Sequence, residues 1–279
     1  MTLRDDDFDF VRQLFRKHTG NELAEDKQYL VESRLKPIVR ANGMTSTAEL
    51  VDELRSERVS REIVAQVCDV LLTKETSFFR DESQFNYLRK MAIPKMVERQ
   101  SRERCLRIWC AACSTGQEPY SIAMLLDRHF PNIWNNWRVE LIASDISHDV
   151  LDRAQQATYN DIEADRGLTQ ADKESYFDKV ESGWRLSERI RKQVEFRQMN
   201  LVASWPSLPQ FDLIFMRNVL IYFDDNEKRM VLARARQSLN PNGLLLLGAT
   251  ETTHFIDDEF QRIDSHAVSV YSVTRLDRP

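Results

Sequence analysis

Apolar positions recur at helical spacing through the first quarter of the chain. Phe8, Val11 and Phe15 lie three to four residues apart behind a cluster of aspartates, which is typical of an amphipathic helix. The same period predicts three more helices, over residues 26–40, 46–54 and 60–72. Pro37 lies inside the second of these, where proline is expected to kink or divide it. We therefore predict an all-α N-terminal domain at residues 1–72.

From Leu106 onward the pattern changes to short apolar runs that alternate with helical segments. This alternation is typical of an α/β domain whose parallel sheet is covered on both faces. The predicted strands of this sheet are residues 106–110, 139–144, 194–201, 211–216 and 244–248, with a terminal antiparallel pair at 260–263 and 268–273. We assign residues 99–279 to this domain and residues 73–98 to a linker and connecting helix.

One polar, charged segment interrupts the alternation, at about residues 159–195. It contains possible short strands at Phe177–Val180 and Trp184–Leu186. An excursion of this length within a sheet domain is more typical of a functional insert than of a slack loop. We predict a small β-subdomain here.

The first strand leads into a tight loop of small residues and then into a helix that opens at Glu118 and Pro119. In an α/β sheet such a loop lets a ligand approach the backbone at the carboxyl end of a strand. Gly116 is the only glycine of this loop, so an ordinary strand-to-helix connection is an equal alternative. Asp145 ends the second strand, where a carboxylate can accept hydrogen bonds from a ribose or can cap the helix that begins near Ser147.

Composition limits the classes of function. The hydrophobic share of 42% and the charged share of 30% are those of a soluble protein, and no apolar run approaches the roughly 20 residues that span a bilayer. The acidic N-terminus lacks a signal-peptide core, so we expect a cytoplasmic location and no membrane insertion. The net charge of −5 argues against a nucleic-acid partner. Cys110 and Cys113 form a C-x-x-C pattern without a second ligand pair, so we expect no metal site.

Four motifs, in order and at consistent spacing, carry a family resemblance. They are T-S-F-F-R at Thr76–Arg80, C-S-T-G-Q-E-P-Y-S at Cys113–Ser121, A-S-D-I-S at Ala143–Ser147, and R-N-V-L-I-Y-F at Arg217–Phe223. With them the chain resembles the CheR-type chemotaxis-receptor methyltransferases over nearly its whole length. The resemblance implies a Rossmann-like class I methyltransferase domain that binds S-adenosylmethionine. It also implies methyl transfer to glutamate side chains on the helical cytoplasmic domain of chemoreceptors, with S-adenosylhomocysteine as the other product.

The resemblance also implies which residues contact the cofactor. Asp145 would hold the ribose and Glu118 would pair with the methionyl ammonium group. The full implied set is Thr76, Arg80, Glu118, Asp145, Asn200, Leu201, Asn218 and Val219. Lys74 departs from the small amide that other members can carry, so no contact is assigned to it.

The implied reaction needs no general acid or base, because a glutamate carboxylate has an unperturbed pKa near ~4.3 and is ionised at neutral pH. The enzyme must instead desolvate the carboxylate and hold it in line with the methyl group. Arg80 and Tyr222 are the candidate catalytic residues, because a cation attracts the carboxylate and a phenol can donate to it.

Receptor recognition is predicted from charge. Arg34, Lys36 and Arg40 make the second predicted helix locally basic, which suits docking of an acidic receptor helix, although such charges can also form a merely solvated face. The segment between Phe177 and Trp184 lacks the longer loop of members that use a C-terminal receptor pentapeptide, so we expect pentapeptide-independent action. We expect a monomer.

Two competing functions stay open at this point. A nicotinamide dehydrogenase uses a similar sheet but is disfavoured by the glycine-poor loop. A non-catalytic S-adenosylmethionine sensor would keep the cofactor site and signal through the helical domain.

Overall fold

The computed structural model describes residues 3–56, 59–263 and 268–273. The chain divides into two compact units. The first comprises residues 1–73 with residues 222–227, and the second comprises residues 74–221 with residues 228–279. The boundary between residues 73 and 74 lies next to the end of the predicted helical domain, and the predicted linker and connecting helix belong to the second unit.

The described residues of the first unit form the helices α1 (Asp5–Thr19), α2 (Gln28–Ala41), α3 (Thr47–Arg55) and α4 (Arg61–Leu71). Ser46 and Ser60 cap α3 and α4 by accepting backbone N–H groups with their hydroxyls. The apolar faces of the helices bury Val11, Phe15 and Leu35 in a common core. The helical prediction is thus reproduced at these positions.

Pro37 does not divide the second helix as expected. Helix α2 continues through it to Ala41. Flanking residues Leu35, Ile38 and Val39 are all buried. Burial of this apolar face stabilises the helix across a position that local propensity disfavours.

The second unit opens with helices α5 (Glu82–Tyr87) and α6 (Ile93–Arg99), which are joined by a π-helical turn at Leu88–Ala92. The remaining helices are α7 (Gln117–His129), α8 (Pro131–Asn136), α9 (His148–Gln156), α10 (Asp161–Asp165), α11 (Gln170–Tyr176), α12 (Glu188–Arg191) and α13 (Asp225–Gln237). The strands are β1 (Cys105–Ala111), β2 (Arg138–Asp145), β3 (Thr158–Tyr159), β4 (Phe177–Val180), β5 (Gly183–Leu186), β6 (Val194–Gln198), β7 (Phe211–Met216), β8 (Leu239–Leu247), β9 (Phe260–Arg262) and β10 (Val270–Val273).

Seven strands form the main sheet in the order β6-β2-β1-β7-β8-β10-β9. Strands β6, β2, β1, β7 and β8 are parallel, and β10 pairs antiparallel with both β8 and β9. Strand β1 has β2 on one side and β7 on the other, so the chain winds away from β1 in opposite directions. At such a point of a parallel sheet, a crevice opens at the carboxyl ends of the strands. The residues that follow β1, β2 and β7 meet at this edge.

The predicted insert is a second, three-stranded sheet in the order β3-β5-β4. Both of its pairings are antiparallel. The insert packs against Phe78, which makes edge-to-face contacts with Tyr159 at 4.9 Å and Phe177 at 5.7 Å between ring centroids. The insert therefore supports the segment that carries Thr76 and Arg80.

Several predicted strand bounds were wrong, most clearly those of β6 and β8. Strand β6 ends at Gln198, before the predicted end at residue 201. Strand β8 begins at Leu239, before the predicted start at residue 244. Leu239 pairs with Phe211, and the register shifts before Leu244 pairs with Leu213, so the residues between Leu239 and Leu244 form an irregularity within the strand.

Gly167 allows the insert to approach Phe78. Its φ is +104°, and a Cβ placed there would lie 1.9 Å from the carbonyl oxygen of Phe78. We predict that Gly167→Ala lowers the free energy of unfolding by about 3 kcal/mol, from backbone strain together with overpacking.

Gly43→Ala is the matched control, because Gly43 also has a positive φ of +67° but has no atom within 4 Å of the added Cβ. It should cost about 1 kcal/mol. Urea unfolding measures both, and equal losses would contradict the contact.

Candidate cofactor site at the carboxyl edge of the sheet

The loop after β1 turns sharply through left-handed conformations. Ala112, Ser114 and Gly116 have φ values of 56°, 50° and 91°. Between them, the backbone N–H of Cys113 donates to the carbonyl oxygen of Ser144 at 2.9 Å. This bond ties the loop to the end of β2. The sharp turn is thus held in place although only one of its three left-handed residues is glycine.

Asp145 lies at the end of β2 and is held by backbone amides. Its Oδ2 accepts the N–H of Ser114 at 2.9 Å, and its Oδ1 accepts the N–H of Ser147 at 3.0 Å. Burial raises the pKa of Asp145, and the hydrogen bonds from Ser147 and Ser114 oppose this rise. The cap of α9 is Ser147, whose hydroxyl accepts the N–H of Val150. The carboxylate of Asp145 is therefore fixed at the sheet edge without itself capping the helix.

Arg217, directly after β7, joins two acidic residues. Its Nη1 lies 2.8 Å from Glu118 Oε2, and its Nη2 lies 2.5 Å from Asp81 Oδ2. Nη2 also donates to the carbonyl oxygen of Arg80 at 2.8 Å. The arginine side chain is only 2% exposed. Arg217 therefore connects Glu118 of α7 with Asp81, the residue before α5, and with the backbone of Arg80.

Burial raises the pKa of Glu118, and the adjacent Arg217 guanidinium opposes that rise. The sequence assigned Glu118 to a cofactor ammonium group, whereas within the protein one of its oxygens already pairs with Arg217. Sequence reasoning gave Arg217 no role. The available signal was an arginine following a strand that is apolar at every position except Asp212, since a buried guanidinium requires acidic partners.

Arg217 also has a buried donor that fits a bound group. Its Nε has no hydrogen-bond partner among the described residues. A buried donor without an acceptor is costly, and an incoming oxygen atom would relieve that cost. The carboxylate of a methionyl group supplies such oxygens, so this part of the edge fits S-adenosylmethionine.

The segment from Thr76 to Arg80 is anchored at both ends. The N–H of Phe79 donates to Ser121 Oγ at 2.9 Å, and Arg80 Nη1 donates to the carbonyl oxygen of Glu75 at 3.2 Å. Phe79 has a left-handed φ of 46°. Such a conformation is uncommon for a bulky residue and persists only where surrounding contacts fix it.

Thr76 lines a cleft of about 420 Å³. Thr115 and Gln117 of the loop after β1 line the same cleft, as do Asp149 and Arg153 of α9. The structure thus brings Thr76 to the loop after β1.

Asn200 and Leu201 follow β6, beside the end of β2. Asn200 Oδ1 accepts the N–H of Val202 at 3.0 Å, and Leu201 is 5% exposed. The preceding Met199 donates its N–H to the carbonyl oxygen of Asp145 at 2.8 Å. These contacts bring two residues of the implied cofactor set next to the residue assigned to the ribose.

Asn218 and Val219 follow Arg217 on the loop after β7. Asn218 has a left-handed φ of 57°, and both backbone N–H groups donate to the carboxylate of Glu251. Sequence reasoning missed Glu251. In the sequence, Glu251 is distinguished only as an acidic residue shortly after an apolar strand. This pattern is too common to identify a functional residue.

Four predicted functional residues belong to the first unit. Tyr222 ends a short 3-10 helix at Leu220–Tyr222, and its catalytic role stays a prediction. Arg34 donates to the carbonyl oxygen of Leu71 at 2.9 Å, so part of its function is to hold the end of α4. Lys36 lies 3.6 Å from Glu32, and Arg40 is exposed. Lys36 and Arg40 are therefore the better placed of the three basic residues for contact with a partner.

In the parts of the chain that the structure describes, no cluster of three or more His, Cys, Asp or Glu side chains could hold a metal ion. The four cysteines are buried as free thiols, and burial raises the pKa of Cys110 and of Cys113. Within the same residues, every helix is too short or too polar to cross a membrane.

Comparison with known families decides the assignment. Residues 6–72 match the all-alpha domain of CheR methyltransferases, and residues 74–269 match the S-adenosylmethionine-binding domain. The chain belongs to the CheR methyltransferase family. This confirms the predicted fold class, an all-α domain followed by a Rossmann-like methyltransferase domain, and the predicted cofactor.

Chemotaxis protein methyltransferases of known sequence are similar to nearly the whole chain. Chemotaxis protein methyltransferase 1 of Pseudomonas aeruginosa is 37% identical, over 97% of this chain and 99% of the relative. A chemotaxis protein methyltransferase of Pseudomonas putida is also 37% identical, over 95% and 97%. One from Vibrio anguillarum is 34% identical, over 98% of each chain.

The contact between Arg217 and Glu118 predicts a pH-dependent loss of stability in Arg217→Met. Without the cation, the pKa of Glu118 should rise further above its ordinary value of 4.5. A carboxyl group whose pKa is higher in the folded protein than in the unfolded protein favours the folded state less as the pH rises from the unfolded-state pKa through the folded-state pKa. The deficit of the variant should therefore be larger at pH 8, at about 3 kcal/mol, than at pH 5. Urea unfolding at the two pH values tests this, with the exposed Arg102→Met as control. A deficit that is equal at both pH values would contradict the assignment.

Proposed function

We propose that this CheR methyltransferase transfers the methyl group of S-adenosylmethionine to glutamate side chains on the helical cytoplasmic domain of chemoreceptors. The products would be glutamate methyl esters and S-adenosylhomocysteine. The family match across both domains carries the proposal. The acidic residue fixed at the carboxyl end of β2 supports it, because that position suits a ribose.

Asp145 would accept the two ribose hydroxyls. Its carboxylate is oriented by the amides of Ser114 and Ser147 and is half-buried at the sheet edge. Asn200 and Leu201 would contact the adenine, while Asn218 and Val219 would line the methionyl end. Arg217 Nε would donate to the methionyl carboxylate, because it is the buried donor in need of an acceptor.

The cofactor supplies a methyl group on a positively charged sulfur, which is already reactive toward a carboxylate. The protein must therefore exclude water and orient the receptor glutamate, with reacting atoms about 3–3.5 Å apart. Arg80 is the candidate for this orientation. Among the described residues its guanidinium makes one hydrogen bond of 3.2 Å, to the carbonyl oxygen of Glu75, and a guanidinium has five N–H donors in all, so others can serve a substrate carboxylate.

Receptor binding would use the basic face of α2 and no receptor pentapeptide. Lys36 and Arg40 supply exposed positive charge on this helix. In the insert, β4 ends at Val180 and β5 begins at Gly183, so only two residues connect them. This tight hairpin supports the proposal that capture of a C-terminal pentapeptide is not required.

Asp145→Asn should weaken the affinity for S-adenosylmethionine about 100-fold. The reason is that hydrogen bonds to a charged carboxylate are each worth about 1.5–3 kcal/mol. Titration calorimetry with S-adenosylmethionine and S-adenosylhomocysteine measures the loss. Asp152→Asn is the control, since Asp152 is exposed and its carboxylate lies 3.1 Å from His148 Nδ1, on the surface of α9. Unchanged affinity in Asp145→Asn would contradict the ribose assignment.

Arg80→Ala should lower kcat for receptor methylation about 100-fold, because the carboxylate loses the group that orients it. The dissociation constant of S-adenosylhomocysteine should change much less. Steady-state kinetics and calorimetry separate the two effects, with the exposed Lys95→Ala as control. Turnover equal to that of the unmodified protein would remove Arg80 from the reaction.

Arg40→Glu should raise KM for the receptor about tenfold while leaving cofactor affinity unchanged, because it reverses a charge on the proposed docking face. Salt should weaken receptor methylation by the unmodified protein, since exposed charges are screened. Lys95→Glu reverses an exposed charge in the second unit and is the control. If salt affects receptor methylation and cofactor binding equally, the docking proposal fails.

A further inference from the structure

The carboxylate of Glu251 accepts hydrogen bonds from backbone N–H groups on both sides of the sheet edge. Its Oε2 lies 2.7 Å from the amide nitrogens of Asn218 and Gly248. Its Oε1 lies 2.9 Å from the amide nitrogen of Val219 and 2.8 Å from that of Leu220. Glu251 is only 5% exposed. The N–H of Ile221 also donates to Oε1, at 3.4 Å. One side chain therefore accepts five backbone N–H groups.

These contacts fix an unusual backbone path. The loop after β7 turns at Asn218, which adopts a left-handed φ of 57°. Successive amides then converge on one anion, which is the arrangement of an anion-binding nest. Here a side chain of the protein occupies the nest. The turn of the loop thus depends on a charge supplied by a residue more than thirty positions later in the sequence.

Gly248, at the end of β8, is part of the same arrangement. A Cβ at this position would lie 2.7 Å from Glu251 Oε2 and 2.8 Å from Asn218 Nδ2. The backbone, the carboxylate and the Asn218 side chain are therefore in close contact. A side chain at position 248 would therefore displace the carboxylate or Asn218.

We propose that Glu251 is a positioning residue for the cofactor, acting through the backbone of Asn218 and Val219. The proposal rests on the proposed function, in which these two residues line the methionyl end. In this proposal Glu251 itself contacts neither the cofactor nor the receptor glutamate. Its carboxylate sets the direction in which the loop leaves β7, and with it the place of Asn218 relative to Arg217.

The geometry requires both oxygens as acceptors. In Glu251→Gln one oxygen becomes an NH₂ group, which cannot accept and would face N–H donors instead. In Glu251→Asp the negative charge remains but the shorter side chain cannot reach Gly248 and Leu220 together. Both changes should disturb the loop, and Glu251→Gln tests the carboxylate with the smallest change of shape.

The test compares Glu251→Gln, Glu251→Asp and the control Glu174→Gln with the unmodified protein. Glu174 is exposed on α11, so the control makes the same chemical change away from the site. Far-UV circular dichroism and thermal unfolding first establish a temperature at which every variant is folded. At that temperature, calorimetry gives the dissociation constant of S-adenosylhomocysteine. Amide ¹⁵N–¹H spectra then report on the loop directly.

We expect Glu251→Gln to raise the dissociation constant about tenfold while remaining folded, in line with the loss of charge-assisted hydrogen bonds at the loop. The amide protons of Asn218, Val219 and Leu220 should shift upfield, because they no longer donate to an anion. Glu251→Asp should recover part of the affinity, and Glu174→Gln should match the unmodified protein.

Two results would overturn the inference. One is a folded Glu251→Gln protein that binds as tightly as the unmodified protein. The other is weaker binding with the amide resonances of the loop unchanged. If the unmodified protein itself binds no S-adenosylhomocysteine, the proposed function fails instead, and the amide shifts still report whether Glu251 holds the loop.

Discussion

Backbone amides that donate to two acidic side chains set the shape of the carboxyl edge of the sheet. Asp145 accepts amides from the loop after β1 and from the start of α9, and Glu251 accepts amides from the loop after β7 and the end of β8. In both cases a carboxylate accepts backbone N–H groups that lie beyond the ends of the strands, where hydrogen bonds between strands stop. The two loops on either side of the crevice are thus held without help from a ligand.

Arg217 and the insert add a second level of order. Arg217 links Glu118 and Asp81, so α7 and the approach to α5 share one buried cation. The insert packs its aromatic residues around Phe78 and approaches its carbonyl oxygen at Gly167. The segment from Thr76 to Arg80 is therefore supported from both sides. A rigid frame of this kind suits a reaction in which orientation and desolvation matter more than proton transfer.

Much of the fold could be predicted from the sequence, because period and motif order are local signals. The helices of the first unit, the alternating strands and the insert all follow from them. The length of β8 could not be predicted, because Leu239 is part of a strand only through its pairing with Phe211. The continuity of α2 through Pro37 likewise depends on tertiary burial.

The candidate site shows the same division. Motifs identified Asp145 and the loops around it, whereas Arg217 as an ion-pair centre and Glu251 as a loop anchor depend on contacts between residues far apart in sequence. Arg34 is the opposite case. The sequence predicts that it contacts a receptor, and in the structure its guanidinium donates to the carbonyl oxygens of Leu71 and Leu72 at the end of α4. Charge alone does not distinguish a docking residue from a helix-capping residue.

The most direct test of the account is methyl transfer to a receptor. The full chain is incubated with methyl-labelled S-adenosylmethionine and the cytoplasmic fragment of a chemoreceptor, and label released as methanol by mild base is counted. We predict base-labile label on the fragment, lost when its acceptor glutamates are replaced by glutamine. Binding of S-adenosylmethionine without any base-labile label on receptor fragments would contradict the assignment as a glutamate methyltransferase.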